Sequence, residues 1–376
     1  MTVGALRNRI EVDLDAIEHN ASVLAAAAPD ARLCAVVKAD GYGHGAAPVA
    51  GAALRAGATW LAVAHAREAE VLRGAGLDTP VLLLTEPTPD EVPVVFDCAL
   101  RSVVYSEEAI GALGAAAARR GQVLDVHLKV DTGMRRVGCA PSEVAALVEA
   151  VGRQRHLRLE GLMTHFALAD EPGHPANDQQ QRCFEDALAG LERRGLRPPV
   201  VHAANSAALL ARPSAHFDLV RAGIALYGLS PSKELAGRVP LRPALSLHAR
   251  IGQVKAAARG GGVSYGWRST LPADTVLATL SIGYADGVRR ELGVAGAPVL
   301  VGGRRRPMVG VVTMDQLMVD CGADAEVAVG DEAVLIGGVG PHAVTADDWA
   351  DLLGTISYEI LTGLGPRTPR QYVTGR

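Results

Sequence analysis

Aromatic residues are scarce in this 376-residue chain, at 4%, so aliphatic side chains and alanine must build its core. This scarcity says nothing about function by itself. A basic excess is also missing. Lys and Arg number 37 against 41 Asp and Glu, and the formal net charge is −4. That argues against a nucleic-acid or membrane-surface protein, which displays a basic stripe. No apolar run is long enough to span a bilayer. The opening "MTVGALRNRIEVDLDAIEHN" turns charged early and lacks the apolar centre of a signal peptide, so a cytoplasmic location is expected. The five cysteines (Cys34, Cys98, Cys139, Cys183 and Cys321) are dispersed and odd in number, and no pair has metal-ligand spacing. This composition fits a reducing compartment and predicts neither a disulfide framework nor a metal site.

What is present is an apolar chain, 49% hydrophobic and 21% charged, longer than one usual domain. One large and one smaller domain are expected. Short apolar runs recur at 33–39, 59–64, 80–85, 101–106, 124–130, 158–164, 199–204 and 217–223. Amphipathic stretches lie between them, such as "EEAIGALGAAAARR" (107–120) and "NDQQQRCFEDALAGLERR" (177–194). Near-continuous apolar strands alternating with helices signal a parallel sheet. Eight such units in a stretch of this length suit an α/β fold of the (β/α)8 barrel type, with a doubly wound open sheet as the competitor. A further helix over "DLDAIEHNASVLAAAA" precedes the first barrel strand. Beyond the proline-bearing stretch "SPSKELAGRVPLRP" the pattern changes to strand-like runs with glycine turns. We therefore expect a barrel over residues 1–238 and a mostly β domain over 239–376, with one late helix near "TADDWADLLGTISYEILTGL".

In a (β/α)8 barrel, active groups gather at the C-terminal ends of the strands. Unusual polar residues fall there. Lys38 ends the first strand in "AVVKADGYGHG". Arg135 and Arg136 follow the fifth, His165 the sixth, Asn205 and Ser206 the seventh, and Arg221 closes the eighth before Gly223 and Ile224. Taken singly, each has an ordinary explanation: a solvated lysine, a glycine turn, a structural histidine, an ion-paired arginine. Their convergence on one barrel face suggests more. The loops after strands 7 and 8 commonly cradle phosphate. A lysine at the same mouth suggests pyridoxal phosphate, with the lysine as Schiff-base amine.

"AVVKADGYGHGA" resembles the cofactor-attachment motif of bacterial alanine racemases. So do "VDLDAIEHN", "KVDTGMRRVG", "THFALAD", "HAANSAA", "VRAGIALYGL", "VSYG", "IGYADG", "TMDQ" and "ISYEIL", in the family's order from about residue 10 to 372. The resemblance implies a (β/α)8 barrel with a C-terminal β domain, binding pyridoxal 5′-phosphate and interconverting L- and D-alanine, with a role in D-alanine supply for peptidoglycan. It implies Lys38 as the amine of the internal aldimine and one catalytic base. Tyr265 is implied as the second base, reaching in from the partner subunit of a head-to-tail homodimer. Tyr42, Ser206, Gly223, Ile224 and Tyr358 resemble the phosphate-binding set. Arg221 resembles the arginine facing the pyridine nitrogen, and Asn205 sits in the same cofactor motif. His165 resembles the histidine linking that arginine to the tyrosine. Arg136 and Met314 resemble the contacts to the substrate carboxylate, Met314 from the partner. Lys129 resembles a lysine often carbamylated in the family, where it orients Arg136. Arg135 stands where the family often has glycine.

Racemisation needs a proton removed from one face of Cα and one returned to the other, hence two bases. Lysine and tyrosine have reference pKa values near 10, so nearby positive charge must pull both toward working pH. Three competing readings remain on the sequence alone. A decarboxylase of the same architecture would place an acidic residue where this chain has Arg221. A racemase for serine or a broader set of amino acids is disfavoured because Tyr265 and Tyr358 narrow the pocket toward a methyl group. A non-catalytic pyridoxal-phosphate carrier would resemble the barrel alone, without "VSYG" and "TMDQ".

Overall fold

The protein is described here by a computed structural model, which covers residues 6–338 and 340–375. It separates into two compact units. One comprises residues 15–41 and 45–242, and the other residues 1–14, 42–44 and 243–376. The chain's first strand, β1 (Asn8–Asp13), belongs to the second of these.

The larger unit holds eight parallel strands: β2 (Arg32–Val36), β3 (Ala58–Val63), β4 (Val81–Leu83), β5 (Arg101–Val104), β6 (Leu124–Lys129), β7 (Leu157–Met163), β8 (Val200–His202) and β9 (Leu219–Ala222). Each pairs with its neighbour in sequence through β8, and β9 pairs back on β2. The amide of Asp218 donates to the Val201 carbonyl (2.9 Å) and that of Arg221 to the Ala204 carbonyl (3.0 Å), which joins the last two segments and closes the barrel. Closure brings the two edges of the sheet together. The strands read as apolar runs because both faces are covered. Val81, Leu82 and Leu83 are wholly buried, as are Leu61, Ala62 and Val63. All eight apolar runs of the sequence became these strands.

The helix expected at 107–120 forms over Glu107–Arg120 for local reasons. Ser106 caps its start by accepting from the Ala109 amide. Glu107 and Glu108 favour the positive end of the helix dipole, and Arg119 and Arg120 the negative end. Gly121 closes it in the left-handed conformation.

The second unit is a mainly antiparallel sheet. Its strands are β10 (Leu245–Ala257), β13 (Thr275–Leu280), β14 (Pro298–Val301), β15 (Arg304–Val309), β16 (Leu317–Asp320), β17 (Glu332–Ile336) and β18 (Arg370–Val373), together with β1. A two-stranded ribbon of β11 (Gly262–Val263) and β12 (Ser269–Thr270) stands apart from it. The long β10 pairs with β1 and β17 along its first half and with β13 along its second. The switch falls at a register shift at Gly252, where an added Cβ would sit 2.9 Å from the Ser281 hydroxyl.

Two expectations are corrected. The sequence reading began with a helix and missed β1, which lies between β10 and β18 in the sheet. The single late helix is two helices, Ala346–Leu353 and Ser357–Thr362. Gly354 adopts φ 66° and ends the first, a stop that glycine makes inexpensive.

Candidate active site

Beyond β2 the chain does something unusual. Val37 is still tied to the next strand, its amide donating to the Ala62 carbonyl (2.9 Å). Then Ala39, Asp40, Gly41 and Tyr42 all take positive φ, between 51° and 61°. They form a turn of left-handed helix. For a residue with Cβ this conformation costs about 1–2 kcal/mol, so the surroundings must hold it. The Gly41 amide donates to the Val37 carbonyl (2.9 Å), and Asp40 accepts from Gly45 through its carbonyl and from Ala46 through its carboxylate (both 2.8 Å). Glu68 accepts from the Ala39 amide (2.6 Å) with one oxygen and from Ala64 and His65 with the other. The strand and this braced turn hold the backbone of Lys38 on both sides at the barrel mouth.

The electrostatics there are lopsided. Burial, then Arg136, lowers the pKa of Lys38, with Glu68 opposing. Lys129, at the end of β6, is pulled down to about 8 by burial and by Arg136 and Arg221, with Asp131 opposing. Arg221 is 3% exposed, and burial brings it down to about 10. Four acceptors gather around it. It reaches Nδ1 of His202 (2.9 Å), Nδ1 of His165 (3.1 Å), and the carbonyls of Thr164 (2.9 Å) and Ala203 (3.0 Å). Arginine has donors only, so each histidine must accept at Nδ1. Burial and then Arg221 hold both histidines well below their ordinary pKa, so both are neutral, with the proton on Nε2.

Other pieces converge on the same strand ends. Ser206 is buried and its hydroxyl accepts from the amides of Gly223 (2.8 Å) and Ala225 (3.3 Å). Ile224 opens the short 3₁₀ helix Ile224–Tyr227, whose first amides have no helical partner. Asn205 uses its side chain to cap the helix Ser206–Ala211, accepting from the Ala208 amide (3.0 Å). Buried Gln180 ties two of the loops together. It donates to Thr132 (3.3 Å) and to the His165 carbonyl (3.2 Å). Arg136 is exposed, and Arg135 before it sits at φ 56°.

The remaining expected residues lie in the second unit. Tyr42 packs its ring 6.1 Å from that of Tyr358. Burial pushes its pKa up to about 12, so it is a neutral hydroxyl. Gly43 lets this segment approach closely, since a Cβ there would lie 2.5 Å from the Leu361 carbonyl oxygen. Tyr265 is 73% exposed, in a short 3₁₀ turn reached through Ser264 at φ 63°. Met314 is 53% exposed. The Tyr284 and Ala285 amides donate to the carbonyls of Thr313 (2.9 Å) and Met314 (3.0 Å), and Gly283 leaves room for that contact.

The sequence reading missed Glu68, His127, His202 and Tyr284. His202 lies inside "HAANS" and Tyr284 inside "IGYADG". His127 had a visible signal, because an imidazole inside the apolar run "LDVHLKV" calls for a partner.

Comparison with known proteins identifies the family. Residues 12–231 match the family model of the alanine racemase N-terminal domain and residues 244–372 that of its C-terminal domain. The alanine racemase of Symbiobacterium thermophilum is 48% identical over 96% of both chains, and that of Thermobifida fusca 46% identical over 96% of both. The crystal structure of alanine racemase from Streptomyces lavendulae superposes with a TM-score of 0.93 at 42% identity, covering 99% of this chain and 98% of that one. The Bacillus anthracis alanine racemase with bound L-Ala-P gives 0.91 at 39% identity, covering 98% and 95%. With both domain models matched and relatives this similar over nearly their full length, the chain belongs to the alanine racemase family.

Proposed function

We propose that this protein interconverts L- and D-alanine, with Lys38 and Tyr265 as the two bases. The observation that carries the reading is the cluster of Lys38, Lys129, Arg136 and Arg221 around neutral His165 at one barrel mouth. Such an excess of cations asks for anions, and a cofactor phosphate and a substrate carboxylate supply them.

Pyridoxal 5′-phosphate fits the residues present. Lys38 would hold it covalently through its amine, and Ser206, Gly223, Ile224, Tyr42 and Tyr358 would hold its phosphate. The buried hydroxyl that already gathers two amides supports that cradle. Arg221 would face its ring nitrogen, and Asn205 would shape the same loop. When bound, the cofactor draws electrons away from the substrate's Cα–H bond and makes it acidic.

This chain's residues do the rest. Arg136 and Met314 bind and orient the substrate carboxylate. Lys38, with its pKa lowered, moves a proton on one face of Cα. Tyr265 moves one on the other face. His165, fixed by Arg221 with its proton on Nε2, offers that N–H to the tyrosine oxygen. A carbamate on Lys129 would turn a buried amine into an anion that holds Arg136. Two enantiomers have equal free energy in achiral water, so either one must end as the same equal mixture. Tyr265 and Met314 come from the second copy in a homodimer, a reading supported by the exposure of Tyr265, Trp267, Tyr284 and Met314 on the single chain. D-alanine made this way serves peptidoglycan synthesis.

The test is conversion of pure L-alanine followed by chiral chromatography, with and without added pyridoxal phosphate. Approach to equal L and D amounts, lost in a folded Lys38→Ala variant, is expected. Unchanged L-alanine with cofactor-loaded protein would reject the reading, and faster turnover of serine would move it to a different substrate.

A further inference from the structure

Arg221 is buried without a carboxylate among its recorded partners, yet its hydrogen bonds do not stop at His202. Nε2 of His202 lies 2.8 Å from Nδ1 of His127, and Nε2 of His127 lies 3.1 Å from a carboxylate oxygen of Glu160. Both rings are wholly buried. The direction of every bond follows from the one end that has no choice. Arg221 can only donate, so neutral His202 accepts at Nδ1 and donates from Nε2. His127 must then accept at Nδ1 and donate from Nε2 to Glu160. Each ring is fixed in one tautomer, and the chain links a cation at the mouth to an anion elsewhere in the barrel.

The backbone is shaped for this chain. In the β6–β7 pairing, Val126 faces Leu159 and His127 faces Gly161, so Glu160 is an extra residue, a bulge. Bulges re-aim side chains. Gly161 makes the space, since a Cβ there would lie 2.2 Å from Nδ1 of His127. Trp60 of β3 closes the other side with an edge contact to His127, ring centres 5.6 Å apart. Charged groups near the start of their strands surround the far end. Arg101 lies 3.5 Å from Glu160, Asp125 pairs with Arg158 and Arg101, and Arg32 acts on His202. Burial works against ionising Glu160, but His127, Arg101 and Arg158 carry its pKa below the usual carboxylate value. Burial likewise outweighs Glu160 in lowering the pKa of His127.

We infer that Glu160 is a remote positioning residue: through the fixed tautomers of His127 and His202 it supplies the counter-charge that keeps Arg221 aimed and ionised. Arg221 in turn sets His165. The inference rests on the racemase reading only for its kinetic consequences; the tautomers are measurable without it.

The experiment is ¹⁵N–¹H correlation NMR of histidine-labelled protein without added cofactor, for the wild type, Glu160→Gln and Glu160→Leu. In the wild type, His127 and His202 should both show the neutral pattern with the proton on Nε2. Gln still accepts from His127, so both tautomers should persist in Glu160→Gln, with the His202 nitrogen shifts displaced by loss of the charge. Leu accepts nothing and carries no charge; Arg221 still fixes both tautomers, so the His127 Nε2–H should lose its partner, and the nitrogen shifts of both rings should move further than in Glu160→Gln. In steady-state assays of the loaded enzyme, kcat should fall about tenfold in the Leu variant, with KM little changed and partial recovery in the Gln variant. His202 signals in Glu160→Gln identical to wild type would overturn the inference, and this variant keeps it testable if Glu160→Leu does not fold. Loss of alanine turnover in the wild type with the tautomers as stated would count against the racemase reading and leave this one standing.

Discussion

The barrel mouth and the exposed loops of the second unit are built in opposite ways. At the mouth, Lys129 and Arg221 are buried, Arg221 is held by several hydrogen bonds, and the pKa values of Lys38, Lys129 and Arg221 are lowered. Arg221 has four recorded partners, and the turn after Lys38 is braced by Asp40 and Glu68. In the loops bearing Tyr265, Trp267 and Met314, large apolar and aromatic side chains stand in solvent, held through their backbone. One region tunes its reactive groups internally. The other holds Tyr265, the proposed second base, in position with its side chain exposed. This division is what the proposed site, shared between two copies, would require.

The largest effect should come from breaking both regions in different copies. Lys38→Ala and Tyr265→Ala homodimers should each be close to inactive. Mixed and allowed to exchange subunits, they should recover about a quarter of the wild-type activity, because half of the dimers are hybrids with one intact site of two. No recovery after exchange has been verified would remove the shared site and the contrast with it.

A smaller effect sharpens the account of the mouth. Lys129 titrates near 8 in the folded chain against an ordinary 10.5. Between those values the unfolded chain holds the extra proton, so this group makes the fold more stable as pH rises through that window. In carbon-dioxide-free buffer, Lys129→Met should lose this gain, and the difference in Tm from wild type should shrink from pH 8 toward 10.5. With bicarbonate, a carbamate would stop the amine titrating and add the mass of one carbon dioxide to the intact protein. Parallel pH–Tm curves for wild type and variant in carbon-dioxide-free buffer would show that the amine is not perturbed.

The smallest effect concerns Arg135, at φ 56°. Left-handed strain opposes arginine, while added freedom in the unfolded chain opposes glycine. Arg135→Gly should therefore stabilise by about 0.5 kcal/mol, read by urea unfolding. A loss of stability would mean that the arginine side chain contributes contacts that outweigh its strain.

How much of this was legible beforehand depended on range. The eight strands were visible because both faces of a parallel barrel strand are buried, which leaves continuous apolar runs such as "VLLL" and "TWLAV". The strand β1 was not, because "NRIEVD" is short and half polar, and its partners β10 and β18 lie hundreds of residues away. Lys38, Arg221, Ser206 and Tyr265 were proposed through motifs. Glu68 and Glu160 were not, since a glutamate within an ordinary helix or strand carries no local mark.

By itself the sequence determined where strands and helices form, which residues carry motif chemistry, and the family they point to. These rest on periodicity, capping and spacing, all properties of short segments. Only the tertiary structure decided how those residues act on one another. Burial and the proximity of Arg136 and Arg221 move the amines, the donor-only guanidinium fixes two histidine tautomers, and a one-residue bulge aims Glu160 at His127. Those outcomes depend on distances across the barrel, and Coulomb interaction and desolvation follow distance in space, which chain order does not record.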